Sequence, residues 1–196
     1  MTRKLTVDDI ADLRAYERER EEFRDHIIAL KKRRRIAVGP YVTLLFENRD
    51  TIRFQIQEMA RVEKLFTDEA IEGELRAYNP LIPEPGQLSA TMFIELTSEE
   101  LLREWLPNLV GVERSVVIEL AGGEQIRCVP EAQHESFLTR DEITASVHYI
   151  GWTLSAEQIE SLAADGGSVG LDHPNYAHQT RFTTDNIEEL VRDLRS

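Results

Sequence analysis

Five cations in succession, Lys31, Lys32, Arg33, Arg34 and Arg35, stand in a chain whose formal net charge is −13. Arginine presents a planar fork suited to carboxylate or phosphate. The run therefore reads as an anion site or a surface for an acidic partner. The competing account is the last turn of a long helix, where cations meet the macrodipole at ~0.3–1 kcal/mol each. A second stretch, FENRDTIRFQIQEM, sets Glu47, Asn48, Arg49 and Asp50 at a helix entrance. Arg53, Gln57, Arg61 and Lys64 follow as a polar stripe. Such groups either pair in a structural network or line a polar pocket. His148 shares one strand face with Ser146, Ile150 and Trp152, and Glu95 is its most plausible acidic neighbour. Glu47, Arg53, Glu58, Glu95 and His148 together form the candidate ligand pocket.

Other patterns are weaker. Asp172, His173 and His178 offer oxygen and nitrogen for a metal corner, but two histidines five residues apart in a turn fix no coordination geometry. Glu131 and His134 have the E-x-x-H spacing of di-iron helices, in a single copy where such sites need two. No G-x-G-x-x-G, G-x-x-x-x-G-K-[ST] or H-E-x-x-H is present. No catalytic residue is assigned on this basis, and no cofactor is expected.

The elements that must position these groups follow from periodicity. Leu13, Tyr16, Arg20, Phe23, Ile27 and Leu30 form a heptad-like stripe, which predicts one helix over 6–35, about 40 Å long. That exceeds what a small domain covers and points to a homo-oligomer through the long N-terminal helix. Gly39–Pro40 ends the helix, and YVTLLFE is a short buried strand or an apolar link. Ile52, Ile56, Met59, Val62 and Phe66 predict one apolar face on the next helix; another helix starts at Asp68. Beyond Pro80 the texture alternates strand and helix, with a hairpin around Gly122–Gly123. SATMFIELTSEELLREWLPNLVGVERSVVIEL lines up with TASVHYIGWTLSAEQIESLAADGGSVGLDH as a duplicated β-α-β unit, matching Phe93 to His148 and Glu119 to Asp172. The expected fold is α+β: a helical N-terminal portion, 1–83, packed on a mixed or antiparallel sheet made by the duplicated unit, 87–196, in one compact domain.

Composition bounds the rest. The chain has 196 residues, 41% hydrophobic and 30% charged, as expected of a soluble globular protein. An excess of 36 acids over 23 bases argues against nucleic acid as a partner. The single cysteine, Cys128, rules out an internal disulfide or a thiolate-held cluster within one chain. No window approaches a membrane span and the N-terminus lacks an apolar core, so no membrane partner and a cytoplasmic location are expected.

IIALKKRRRIAVGPYVTLLFENRDTIRFQIQEMARVEKL, with AYNPLIP, LSATMFIEL, SVHYI and DHPNY, resembles a bacterial family known as domain of unknown function 3501. The resemblance covers nearly the whole chain and is specific over 27–96. It implies a cytoplasmic protein, often encoded close to a rubrerythrin and an iron–sulfur oxidoreductase subunit, with one of these redox proteins as a partner and a link to peroxide defence. It brings no catalytic residue. Two readings of function follow: a non-catalytic accessory or partner-binding protein of a redox system, or an enzyme or small-ligand or metal-binding protein with a polar pocket between helices and sheet.

Overall fold

The computed structural model describes residues 4–132 and 143–196; His134, the second half of the E-x-x-H pattern, lies outside them. After a short 3-10 turn at Val7–Asp9, helix α1 runs Leu13–Arg34 and passes directly into strand β1, Arg35–Val38. β2 (Val42–Glu47), α2 (Arg49–Glu63), α3 (Asp68–Tyr78) and β3 (Gln87–Ile94) follow. Then come α4 (Glu99–Asn108), β4 (Val116–Leu120), β5 (Gln125–Arg127), β6 (Val129–Pro130) and β7 (Val147–Thr153). The chain closes with α5 (Ala156–Asp165), β8 (Gly167–His173), β9 (Tyr176–Arg181) and α6 (Thr184–Arg195).

The fold is α+β as expected, with two sheets where one was expected. The first has the order β1-β2-β3-β7-β6, the second β5-β4-β8-β9, and every pair in both is antiparallel. They enclose one core, to which Leu44, Phe46, Met92, Ile150 and Trp152 contribute from the first sheet and Ile118, Val169 and Leu171 from the second. At one side the chain itself crosses between sheets, β5 passing into β6 at the buried Cys128. At the other, β9 lies against β1, with the Thr180 hydroxyl donating to Ala37 O at 2.7 Å. Because β1 and β2 belong to the same sheet as β3 and β7, the boundary expected between 83 and 87 runs through one sheet.

β3 and β7 pair antiparallel, as do β4 and β8, so the central strands of the two β-α-β segments are neighbours. The expected match of Phe93 with His148 fails. Met92 is the residue opposite His148, and side chains alternate across a pleated strand. His148 therefore faces the core between the sheets, while Phe93 faces the helical layer outside.

Outside the first sheet lies a second apolar cluster. Ile52, Ile56 and Ala60 of α2 meet Ile71 and Leu75 of α3, with Leu5, Leu81 and Ile82. The apolar face expected on α2 runs out at its end: Val62 and Phe66 are exposed, because α2 stops at Glu63 and turns through Lys64 in a left-handed conformation. The long helix is also shorter than expected, at 22 residues, or about 33 Å. Asp12 starts it, its carboxylate accepting from Ala15 N at 2.9 Å. The preceding segment is pinned by Gln57, whose buried amide exchanges two hydrogen bonds with the backbone of Ala11, 2.7 and 3.2 Å. The stripe on α1 is covered by the chain itself. Tyr16, Ile27 and Leu30 are buried, and Phe23 packs edge-on against Phe54, centroids 5.8 Å apart.

Candidate functional site

A cavity of about 210 Å³ lies between the helices and the outer face of the first sheet. Strand alternation builds its floor. Leu45 and Glu47 of β2, Thr91 and Phe93 of β3, and Val147 and Tyr149 of β7 all point outward. Leu45, Thr91 and Tyr149 form one cross-strand row. Thr51, Ile52 and Gln55 of α2, Lys31 of α1, Tyr78 at the end of α3, and Leu81 supply the roof.

The Glu47 carboxylate is buried, 7% exposed, and among the described residues meets only neutral donors. Thr91 donates to Oε1 at 2.5 Å and Thr51 to Oε2 at 2.5 Å. Thr51 is fixed there because it also completes the cap of α2 with Asn48: Asn48 N donates to its hydroxyl at 2.9 Å and Thr51 N to Asn48 Oδ1 at 3.0 Å. Opposite charge is near but unspent. Lys31 places its ammonium 5.5 Å from the Phe54 ring centroid and, among the described residues, forms no ion pair. Arg35 shares a cross-strand pair with Leu45 and sets its guanidinium 5.4 Å from the Phe93 centroid. The side chains of Gln55 and Tyr78 make no hydrogen bond among the described residues. Burial, then the neighbouring Tyr78 and Glu47, push the Tyr149 phenol up from its ordinary value, so at neutral pH it keeps its proton. The arrangement is apolar walls with a few converging polar groups, the usual make-up of a small-molecule site.

Of the five predicted pocket residues, only Glu47 lies here. Arg53 turns to Asp9 O at 2.9 Å and to Glu19 at 3.1 Å, over the Phe23 ring. Glu58 is held by Arg20 at 2.8 and 2.9 Å and by the Tyr16 hydroxyl at 2.7 Å. Glu95 accepts from Thr43 at 2.6 Å on the exposed end of β3. His148 is buried on the opposite face. Its Nε2 lies 2.9 Å from Ala145 O and 2.8 Å from Thr144 Oγ1. A carbonyl only accepts, so Nε2 carries the hydrogen. Burial lowers the His148 pKa against an upward pull from Glu113 and from the Ala145 carbonyl. Glu113 keeps one carboxylate oxygen buried without a hydrogen-bond partner among the described residues. Nearby, burial raises the Cys128 thiol to about 11, and it donates to Glu113 O at 3.1 Å. A thiol so held is no nucleophile at neutral pH.

The basic run divides. Arg34 is buried, bonded to Glu189 at 3.0 Å, to Asp193, and to the carbonyls of Phe46 and Glu47 at 2.9 and 3.2 Å. Arg33 reaches Glu189 at 3.0 Å and Lys32 is exposed. Of the run, Lys31 lines the cavity, and Arg35 stands beside it over the Phe93 ring. The metal corner does not assemble either. Asp172 points outward to Arg127 at 2.9 Å, whereas His173, next along the strand, points inward. His173 accepts from Asn175 N at Nδ1, 3.2 Å, and meets Val110 O through Nε2, 3.1 Å; His178 packs on Tyr176. Among the described residues no three His, Cys, Asp or Glu side chains are grouped to hold a metal ion.

A wider depression, about 300 Å³, lies over the bare face of the second sheet near Glu119, Asp172 and His178. It is open to solvent, and its charges are spoken for. Arg127 pairs with Asp172, and Gln125 donates to Glu119 at 2.8 Å. The more enclosed Glu47 cavity is the stronger site.

Sequence reasoning missed Thr51, Thr91, Tyr78 and Tyr149. The signal available was the alternation of SVHYIGW, whose outward positions include Tyr149.

Two antiparallel sheets around one core, with helices roofing a polar-and-apolar cavity on an outer face, define an α+β protein with a cavity of small-molecule size. Residues 4–194 match the family described as "Protein of unknown function (DUF3501)", and the chain belongs to it. It is similar in structure to a "novel protein of unknown function" from Burkholderia pseudomallei K96243, solved by crystallography at 1.90 Å. The TM-score is 0.88 and the identity 36%, covering 97% of this chain and 99% of that one. No curated protein matches the chain. Among the described residues no helix is long and apolar enough to cross a membrane.

Proposed function

We propose that the protein binds a small molecule in the Glu47 cavity. The observation that supports this is a buried carboxylate whose partners among the described residues are all neutral, inside a cavity walled by Leu45, Ile52, Leu81, Phe93 and Val147. Burying a charge without a countercharge is costly, and a structural role for Glu47 would be better filled by a paired cation. A ligand that completes the charge balance accounts for the cost. The family resemblance adds an accessory role in a redox system, with rubrerythrin or an iron–sulfur oxidoreductase subunit as partner. A ligand-binding accessory protein satisfies both, and the ligand half is the part that the geometry supports. The partner surface expected from the basic run has less to draw on, since Arg34 is spent internally.

The test uses methyl NMR with cyclopentanol as a small neutral probe. Saturable shifts confined to the methyls of Leu45, Ile52, Leu81 and Val147 are expected. Val147→Trp, which fills the cavity, should abolish them while leaving the fold intact. Shifts that do not saturate, or that spread over the core between the sheets, would refute the reading.

A further inference from the structure

We infer that the ligand of the Glu47 cavity is a small zwitterion, an α-amino acid with an apolar side chain, bound through its ammonium to Glu47 and through its carboxylate to Lys31 and Arg35. The inference rests on the reading of this cavity as a ligand site and specifies what fills it.

Charge decides the class. Each Glu47 oxygen accepts one hydroxyl and keeps further lone pairs, so an ammonium entering the cavity gains charge-assisted hydrogen bonds, which are shorter and stronger than neutral ones. Lys31 lines the same cavity without an ion pair among the described residues, and Arg35 stands at the rim over Phe93. An amine alone would leave these two cations unmatched. A carboxylic acid alone would meet Glu47, like charge against like. A ligand carrying both charged groups on one carbon satisfies both sets.

Size and walls decide the rest. About 210 Å³ holds on the order of seven waters at ~30 Å³ each. That is too small for a nucleotide and suited to a single amino acid. Beside the charged groups the walls are Leu45, Ile52, Leu81, Phe93 and Val147, which favour an aliphatic side chain over a polar one. Gln55 and Tyr78, whose side chains make no hydrogen bond among the described residues, stand ready for the remaining carboxylate oxygen or a third ammonium hydrogen.

Three probes isolate the two charges: L-leucine, 3-methylbutylamine, which lacks the carboxylate, and 4-methylpentanoate, which lacks the ammonium. Each is titrated into the unmodified protein by calorimetry and by the same methyl NMR. Leucine should bind at least about tenfold tighter than either single-charge probe. Lys31→Gln should bring leucine down to the level of the amine, and Glu47→Gln down to that of the acid. If the amine or the acid binds as tightly as leucine, the zwitterion assignment is wrong. If none of the three moves the cavity methyls while cyclopentanol does, the ligand class is wrong and the cavity reading stands. If cyclopentanol also fails, the cavity reading itself falls. The wild-type titrations decide without the variants, so a misfolded Glu47→Gln protein would not blunt the test.

Discussion

Arg34 and Glu189 stand 155 positions apart in the chain, and their charged ends meet at 3.0 Å in the protein interior. The contact joins the last residue of α1 to the closing helix α6. Around the buried Glu189 carboxylate, Arg33 at 3.0 Å and Arg192 at 2.9 Å complete a cage of three guanidinium groups. Asn186 adds a hydrogen bond from its amide to Arg33 O, 2.7 Å. Arg34 is thus a structural tie that Arg33 shares from the surface, while Lys32 faces solvent and Lys31 the cavity.

The consequence for mutagenesis is sharp. Arg34→Met should cost about 3–5 kcal/mol, because it removes the buried cation shared by Glu189 and Asp193 and takes its donors from the carbonyls of Phe46 and Glu47. Lys32→Gln should stay within about 0.5 kcal/mol, as exposed changes usually do. From the sequence alone, replacing Arg33, Arg34 and Arg35 together by Gln is expected to leave folding largely intact. The burial of Arg34 reverses that expectation, and nearly all of the loss should trace to position 34. Urea unfolding of the three single variants measures it.

A second tie holds the turn between β1 and β2. The Tyr176 hydroxyl donates to Val38 O at 2.7 Å and accepts from Tyr41 N at 2.9 Å and Val42 N at 3.1 Å. Gly39 sits under it with φ +71°, where an added Cβ would lie 2.6 Å from that hydroxyl and 2.5 Å from the His178 ring. Tyr176→Phe should cost about 1–3 kcal/mol by leaving buried backbone groups unmatched. Gly39→Ala should also destabilise, through the left-handed backbone and the clash together. The two losses should not add in the double variant, because they act on one turn. Thermal unfolding of the two singles and the double checks this.

Acid should loosen the seam between α1 and α2. The Arg20 guanidinium, and then the Tyr16 hydroxyl, hold the Glu58 carboxyl below its ordinary value of 4.5. A carboxyl with a depressed folded value contributes stability that is present above 4.5 and lost as pH falls through the folded value. Glu58→Gln should therefore lower stability at neutral pH and flatten the decline below about pH 4.5. An acid limb unchanged by the substitution would mean that the pair contributes nothing to the linkage. Guanidine unfolding across that range gives the answer.

Strand and helix positions were legible because alternation and capping residues are local. Ser98, Ser155 and Thr183 each cap the helix that follows, and the hairpin at Gly123 carries a positive φ of 87°. β9 was not legible. YAHQTR has exposed side chains at four of its six positions and shows no apolar alternation, so it reads as part of a turn. The site was half legible. Glu47 stood out as an acid after an apolar strand, but Thr91, Tyr78 and Tyr149 are ordinary residues made significant only by three strands in register beneath a helix. His148 drew attention through its residue type, while the cavity lies on the other face of the same strand, at Tyr149. Which face a strand turns to the core depends on its partners, and those pairings are set far away in sequence.

His148 gives the last prediction. It is 2% exposed, its Nε2–H faces Ala145 O, and burial is the largest influence on its pKa, moving it below the ordinary 6.5. In the unfolded chain the imidazole takes up a proton near 6.5, whereas the folded protein resists it until lower pH. Below 6.5 the unfolded state therefore binds more protons, and stability must fall as pH falls. The loss begins at the unfolded pKa and grows until the folded one is reached, at no more than ~1.4 kcal/mol for each pH step between them. His148→Gln keeps an N–H donor for Ala145 O and removes the titration, so its stability should be flatter between about pH 7 and pH 5.5 than that of the unmodified protein. The opposing influence is Glu113, whose buried oxygen lacks a partner among the described residues and would welcome an imidazolium. If Glu113 dominated, the His148 pKa would rise above 6.5 and stability would be lost with increasing pH instead. Imidazole NMR of the folded protein separates the two: neutral-form shifts persisting below 6.5 match the burial account, and an imidazolium persisting above it would overturn it.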